Sequence, residues 1–205
     1  MLGLVGPVCA GKSAVGRLLE QRGARTYPAD AVVRALYDQT DVKQAVRALF
    51  GDDVFDAHGA VDRAAIARRI FRPHGDPELR RRLTQEVIFP RTGPALRAQI
   101  DSFREKAGPH GVLVVDAPTL FEAGRTDWCD RILLVTAPVA RRRQWAAERG
   151  WTEDDLEARD AAMIPEAEKL RRADYVIENT GGLDDLETTV ARLWDQLQRI
   201  GDGII

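Results

Sequence analysis

The sequence predicts an α/β fold, a parallel, doubly wound sheet with helices on both faces. Three observations carry that reading. Short apolar runs of strand length recur along the chain, longer segments with helically spaced apolar residues separate them, and a glycine-rich turn joins the first run to the first helix. The strand runs are Met1–Val5, Ala24–Tyr27, Val112–Val115, Ile132–Val135 and Tyr175–Ile177. Several are apolar without alternation, as strands covered on both faces are. Helical spacing marks Lys12–Gln21 and Leu183–Ile200, the latter with a stripe of Leu186, Val190, Leu193, Trp194 and Leu197.

Residues 31–107 break the alternation. They show only helical patterns, Ala31–Tyr37, Val42–Phe50, Arg63–Phe71, Pro77–Val87 and Pro94–Phe103, and so form a helical insertion between the second and third strands. A second helical section, residues 138–172, is rich in arginine and glutamate, a composition suited to a mobile flap. The chain divides into one domain with a core (1–30, 108–137, 173–205), an insertion (31–107) and a flap (138–172).

A chain of 205 residues is long enough to bury a sizeable core. Lysine plus arginine number 30 against 32 aspartates and glutamates, which argues against a general affinity for nucleic acid or anionic membranes. The two cysteines, Cys9 and Cys129, lie far apart and suggest neither a disulfide framework nor a zinc site. With no signal-like leader and no run of about 20 apolar residues, the expectation is a cytoplasmic protein, a monomer or small homo-oligomer. His58, His74 and His110 lie near glycine or proline and read as exposed loop residues.

The chemistry begins at Gly6-Pro7-Val8-Cys9-Ala10-Gly11-Lys12-Ser13, which fits G-x-x-x-x-G-K-[ST] between a strand and a helix. The glycines let backbone N–H groups approach phosphate oxygens, and the helix adds its positive N-terminus. Gly6, Cys9, Ala10, Gly11, Lys12, Ser13 and Ala14 thus make a nucleotide site. Lys12 reaches the β- and γ-phosphates, and the Ser13 hydroxyl ligates Mg²⁺. Cys9 reads as a buried, inert thiol. Asp116, ending the strand in "GVLVVDAPTLFE", is the partner carboxylate for Mg²⁺ or, equally in form, a helix cap. Asp30 follows the second strand, at the sheet end where ligands bind. It either orients an acceptor hydroxyl and takes its proton late, or caps a helix beginning at Ala31; the insertion that follows, a wall for an acceptor, favours the first.

Five segments in order resemble the dephospho-CoA kinase family: the phosphate loop; Pro28-Ala29-Asp30-Ala31-Val32-Val33-Arg34; "GAVDRAAIARRIF" through Gly59, Asp62, Arg63, Ile66 and Phe71; "DAPTLFEAG" through Pro118, Leu120, Phe121 and Glu122; and "EKLRRADYVIENTGGLDDL". The resemblance implies a P-loop kinase that transfers the γ-phosphate of ATP to the 3′-hydroxyl of dephospho-CoA. It further implies an insertion that binds the acceptor and a flap that closes as a lid. Arg149 matches the family's lid arginine, with Lys169 and Arg172 as further lid cations. Asp30, Arg34, Arg63, Phe89 and Glu122 fall on the acceptor side, the two arginines suited to its phosphates. Asn179 and Gly181 fall where the family contacts adenine. Arg141 and Arg143 read as solvated, as does "RRRLTQEVIFPR", and Trp145 and Trp151 as lid-lining.

The chain departs from the family pattern at Pro28 (an aspartate there), Phe89 (histidine), Arg142 (glutamine), Trp145 (arginine) and Met163 (glutamine). The ATP side is nearly intact while acceptor and lid positions have drifted. Three readings therefore stand: a working dephospho-CoA kinase, a kinase for another nucleoside- or nucleotide-like acceptor, and a catalytically weakened nucleotide-binding module.

Overall fold

The computed structural model describes residues 1–71, 75–107 and 111–202, so the readings of His74 and His110 lie outside the described residues. Five parallel strands, β1 (Leu2–Val5), β2 (Arg25–Pro28), β3 (Leu113–Asp116), β4 (Arg131–Thr136) and β5 (Tyr175–Glu178), form one sheet in the order β2-β3-β1-β4-β5. Each expected strand is present with its ends moved by at most one residue.

Successive strand residues go to opposite cores. Leu2, Leu4, Val114, Leu133 and Val135 enter one cluster; Val5, Leu113, Val115, Ile132 and Leu134 enter the other. Both faces are therefore apolar, which is why these strands lack alternation. Helix α1 (Lys12–Gln21) packs on the first face, which the stripe of the C-terminal helix, Leu183–Asp202, also covers.

Between β2 and β3 the chain forms α2 (Ala29–Leu36), α3 (Thr40–Phe50), α4 (Arg63–Phe71), α5 (Pro77–Arg82) and α6 (Phe89–Ala107). These build a separate apolar cluster around Val42, Val46, Phe50, Ile66, Leu83 and Val87. The two patterns read as Pro77–Val87 and Pro94–Phe103 are one continuous helix. A π-helical segment, Leu83–Ile88, joins α5 to α6 without interruption, and Pro94 lies inside α6. The widened turn ends just before Pro90, which cannot donate to the preceding turn.

Helix α2 begins at Ala29 with Pro28 at its N-cap, so Asp30 lies in the first turn and is not the cap. Pro28 is also the last residue of an edge strand, where a missing N–H costs least. After β4 come α7 (Val139–Glu148), α8 (Glu153–Ala161) and α9 (Glu166–Arg172), and after β5 comes α10 (Leu183–Asp202). Helix α8 starts with a capping box in which Thr152 and Asp155 satisfy each other's backbone N–H.

Candidate active site

Crossing from β1 to α1, the chain wraps the loop Gly6–Gly11 in conformations that only glycine tolerates at its two ends. Gly6 has φ 152°, and a Cβ there would meet the Val135 carbonyl oxygen at 2.1 Å. Gly11 has φ 95°, and a Cβ there would lie 2.2 Å from Asn179 Nδ2. The close approach matters: Asn179, buried after β5, donates from Nδ2 to the Ala10 carbonyl at 3.1 Å and ties the loop to the far edge of the sheet. Gly11 caps α1 without any side-chain bond, leaving the helix's first N–H groups available to an anion.

Lys12 folds back under the loop. Its Nζ donates to the carbonyls of Gly6 at 3.0 Å and Pro7 at 2.8 Å. Burial lowers its pKa to about 8, opposed by the nearby carboxylates of Asp116 and Asp30. Burial also raises the Asp116 carboxyl above the ordinary carboxylate range, with Lys12 opposing. Asp116 ends β3, and its register partner in β2 is Pro28. Both strands' carboxyl ends thus face the loop, and Asp30, two residues past Pro28, projects exposed into the same space.

A cleft of about 910 Å³ unites these parts. Cys9, Ala10, Gly11, Lys12, Ser13, Ala14, Asp30, Asp116 and Glu122 line it, with Arg149, Asn179 and Gly181 from the flap and beyond. Phe89 also lines it, and the Arg125 guanidinium fixes it by donating to the Phe89 carbonyl and to Thr92 Oγ1. Gly6 stays behind the loop as an acceptor for Lys12. Cys9 is buried, as expected, though it adopts φ 59°.

Several expectations need correction. Arg34 and Arg63 are exposed and do not line the cleft. The insertion instead presents Arg80, Arg81, Thr84, Gln85 and Phe89, one face of the continuous α5–α6 helix, so part of "RRRLTQEVIFPR" faces the site. Arg141, read as solvated, lines the cleft against the Trp145 ring at 5.1 Å. Arg143 is indeed exposed, in ion pairs with Glu153 and Glu157. Lys169, read as a lid cation, is 1 % exposed, with Nζ against Met163 Sδ at 3.4 Å. Arg172 stacks 4.3 Å above the Phe121 ring and pairs with Glu168.

Two arginines were not legible as inward-facing. Arg159 of α8 lies 4.1 Å from the Trp151 ring and 4.8 Å from Phe71 of α4, bridging flap and insertion across the cleft. Arg142 of α7 is buried and pairs with Asp160. Nothing in the local pattern of an arginine-rich helix separates these from solvated neighbours; only partners far along the chain do.

The cleft suits a divalent cation only as a shared ligand. Asp116 Oδ1 is buried with no hydrogen-bond partner, as a carboxylate awaiting a cation is. Among the described residues no three His, Cys, Asp or Glu side chains converge to hold a metal alone. That donor set fits Mg²⁺, which takes one or two protein oxygens and completes its shell with phosphate and water. The cations Lys12, Arg17, Arg80, Arg81, Arg141, Arg149 and Arg159 outnumber the acids Asp30, Asp116, Glu122 and Glu148 on the cleft wall, as a polyanionic ligand requires.

A glycine turn leading into a helix N-terminus, on a parallel sheet of order 2-3-1-4-5 with an acidic residue ending the neighbouring strand, defines a P-loop protein of the small-molecule kinase type. A model of the dephospho-CoA kinase family matches residues 1–185. The dephospho-CoA kinase of Deinococcus radiodurans is 38% identical over 201 residues, covering 96% of this chain and 92% of that one. That of Corynebacterium diphtheriae is 35% identical over 203 residues, covering 96% of each. The crystal structure of TT1252 from Thermus thermophilus superimposes with TM-score 0.75 at 31% identity over 96% of both chains. A Campylobacter jejuni dephospho-CoA kinase, at 15% identity and TM-score 0.69 over 97% of this chain and 96% of that one, shares the fold. The chain belongs to the dephospho-CoA kinase family.

Proposed function

We propose that this protein uses ATP to phosphorylate the ribose 3′-hydroxyl of dephospho-CoA, giving coenzyme A and ADP, in the cytoplasm. The observation that carries the reading is a single cleft in which the phosphate loop, Asp30 and Asp116 meet the faces of insertion and flap.

Phosphoryl transfer through a loose transition state asks a protein for positioning and charge stabilisation. The loop's N–H groups and Lys12 hold the β- and γ-phosphates, Lys12 exchanging its two carbonyl partners for phosphate oxygens. Ser13 Oγ and Asp116 would hold Mg²⁺, which would neutralise charge on the triphosphate. Asp30 orients the 3′-hydroxyl; as its oxygen bonds to the γ-phosphorus and the bond to the β–γ bridging oxygen breaks, Asp30 takes the proton. Arg149, on the flap side of the cleft, meets the charge building on the equatorial oxygens. Asn179 and Gly181 flank the adenine of ATP. Arg80 and Arg81, with Phe89 and Glu122, face the acceptor, and Arg34 and Arg63 can reach it only at its periphery.

A coupled assay of ADP release decides the matter. Purified protein with Mg²⁺ and ATP should turn over only when dephospho-CoA is added. No dephospho-CoA-dependent release, with release on another nucleoside-like alcohol, would reassign the acceptor; ATP binding without release on any acceptor would leave a nucleotide-binding module.

A further inference from the structure

A carboxylate that does not itself line the cleft touches the backbone of the phosphate loop. Asp160 of α8 accepts the Val8 N–H on Oδ1 at 3.3 Å, and its Oδ2 accepts from Arg142 Nη2 of α7. Arg142 is 4 % exposed, and neither it nor Asp160 lines the cleft. Val8 is the first residue after Gly6 that can be tied through an N–H, because Pro7 has none. The same place carries an apolar contact: Val8 and Cys9 pack with Ala146, Leu156, Trp145 and Trp151 of the flap. Flap and loop are therefore joined by one apolar seam and one polar link.

The polar link poses an electrostatic problem. A carboxylate beside a loop built for triphosphate repels the ligand unless its charge is compensated. Arg142 is the compensating charge within bonding distance, with buried Lys169 a second cation whose field reaches Asp160, and a buried arginine is retained only with such a partner. Arg142 Nε has no partner of its own, so the arginine is committed to Asp160 through Nη2. Lys12 grips the loop's crest from inside through the Gly6 and Pro7 carbonyls, and must release them to reach phosphate. Asp160 grips the next amide from outside and need not let go.

We propose that Asp160, neutralised by Arg142, is a positioning residue that anchors the phosphate loop through the Val8 amide, so that the loop keeps its shape when Lys12 turns to the nucleotide. The link couples the flap helices α7 and α8 to triphosphate binding. It rests on the loop binding a nucleoside triphosphate but not on the identity of the acceptor.

The test is therefore made without acceptor. Binding of a non-hydrolysable ATP analogue with Mg²⁺ to the full chain is measured by calorimetry, with Trp145 and Trp151 fluorescence as a second readout and melting temperature as a control on folding. Asp160→Asn keeps an oxygen for the Val8 N–H and should bind within about twofold of the parent, whereas Asp160→Ala should bind about fivefold more weakly, the size of one net hydrogen bond. Arg142→Met keeps the apolar bulk and uncovers the carboxylate, and should weaken binding about tenfold. Adding Asp160→Asn to Arg142→Met should then restore affinity, since the uncompensated charge is gone. That reversal is what a merely structural pair would not show. Equal affinities for Asp160→Ala and the parent, or a double variant that binds no better than Arg142→Met, would overturn the proposal. If no variant and not even the parent binds the analogue, the nucleotide reading itself fails, a distinct result.

Discussion

Lys12 illustrates how a local motif and its environment divide the work. The motif was readable because its chemistry is local: glycines, a lysine and a hydroxyl within eight residues suffice to wrap a phosphate. Its burial was not readable, and burial has a consequence. In the free protein Lys12 is half-charged near pH 8. A bound triphosphate favours the charged form and draws its pKa back up, so affinity should fall as pH rises above about 8, and binding at that pH should take up protons. Calorimetry in buffers of different ionisation enthalpy measures the uptake; a pH-independent affinity between 7 and 9 would contradict it. Lys12→Ala should cost roughly 10²–10³-fold in kcat/KM through lost stabilisation of phosphoryl charge. If Asp30 takes the acceptor's proton as proposed, Asp30→Asn should cost roughly 10²-fold or more in kcat while leaving nucleotide affinity near the parent's, because the residue lines the cleft and lies in the first turn of α2 without capping it.

At the scale of elements, the charged section 138–172 shows what composition conceals. Its many arginines and glutamates concealed an inward face: Leu156 and Ala146 are buried against Cys9 of the phosphate loop, and Arg142 and Lys169 of the same section are buried too. Which arginine turns inward depends on Asp160, eighteen residues from Arg142, and on Trp151 and Phe71 for Arg159, all contacts that helical spacing alone does not report. The insertion's patterns Pro77–Val87 and Pro94–Phe103 read as separate segments for a related reason. Breaker residues set a local penalty, yet Leu83, Val87 and Leu96 bury apolar surface on both sides of them, and the π-helical segment absorbs the misfit. If the flap is seated mainly by its apolar seam, Leu156→Ala should loosen α8 alone. Filling lost and cavity made should cost about 3 kcal/mol. Hydrogen exchange should then speed up about a hundredfold in α8, with the amides of β1 and β4 unchanged. Equal acceleration across the sheet would show that the flap is not a separate unit.

For the whole molecule, strand pattern and strand count were legible because both sheet faces are apolar, while the joining of the sheet to the insertion was not. That joining is done by one helical rod. From Pro77 through the π-helical segment to Ala107, the chain places Leu83, Val87 and Ile88 in the insertion's cluster and Leu96 and Ile100 in the cluster under β3 and β4. A rod that fills two cores cannot leave one without withdrawing from the other, so the described sheet and insertion should unfold together. Ile66 lies in the first cluster, 3 % exposed, and Ile100 in the second, 1 % exposed. Truncating either to alanine should lower stability by roughly 2–5 kcal/mol, the range for an aliphatic residue in a packed core. Both variants should move a single urea transition to lower midpoint with the same slope, seen alike by far-ultraviolet circular dichroism and tryptophan fluorescence. A biphasic transition in Ile66→Ala alone would mean that the insertion melts by itself, and that the rod is a hinge between two units instead of the beam that holds the insertion's cleft-lining face at a set distance from the phosphate loop.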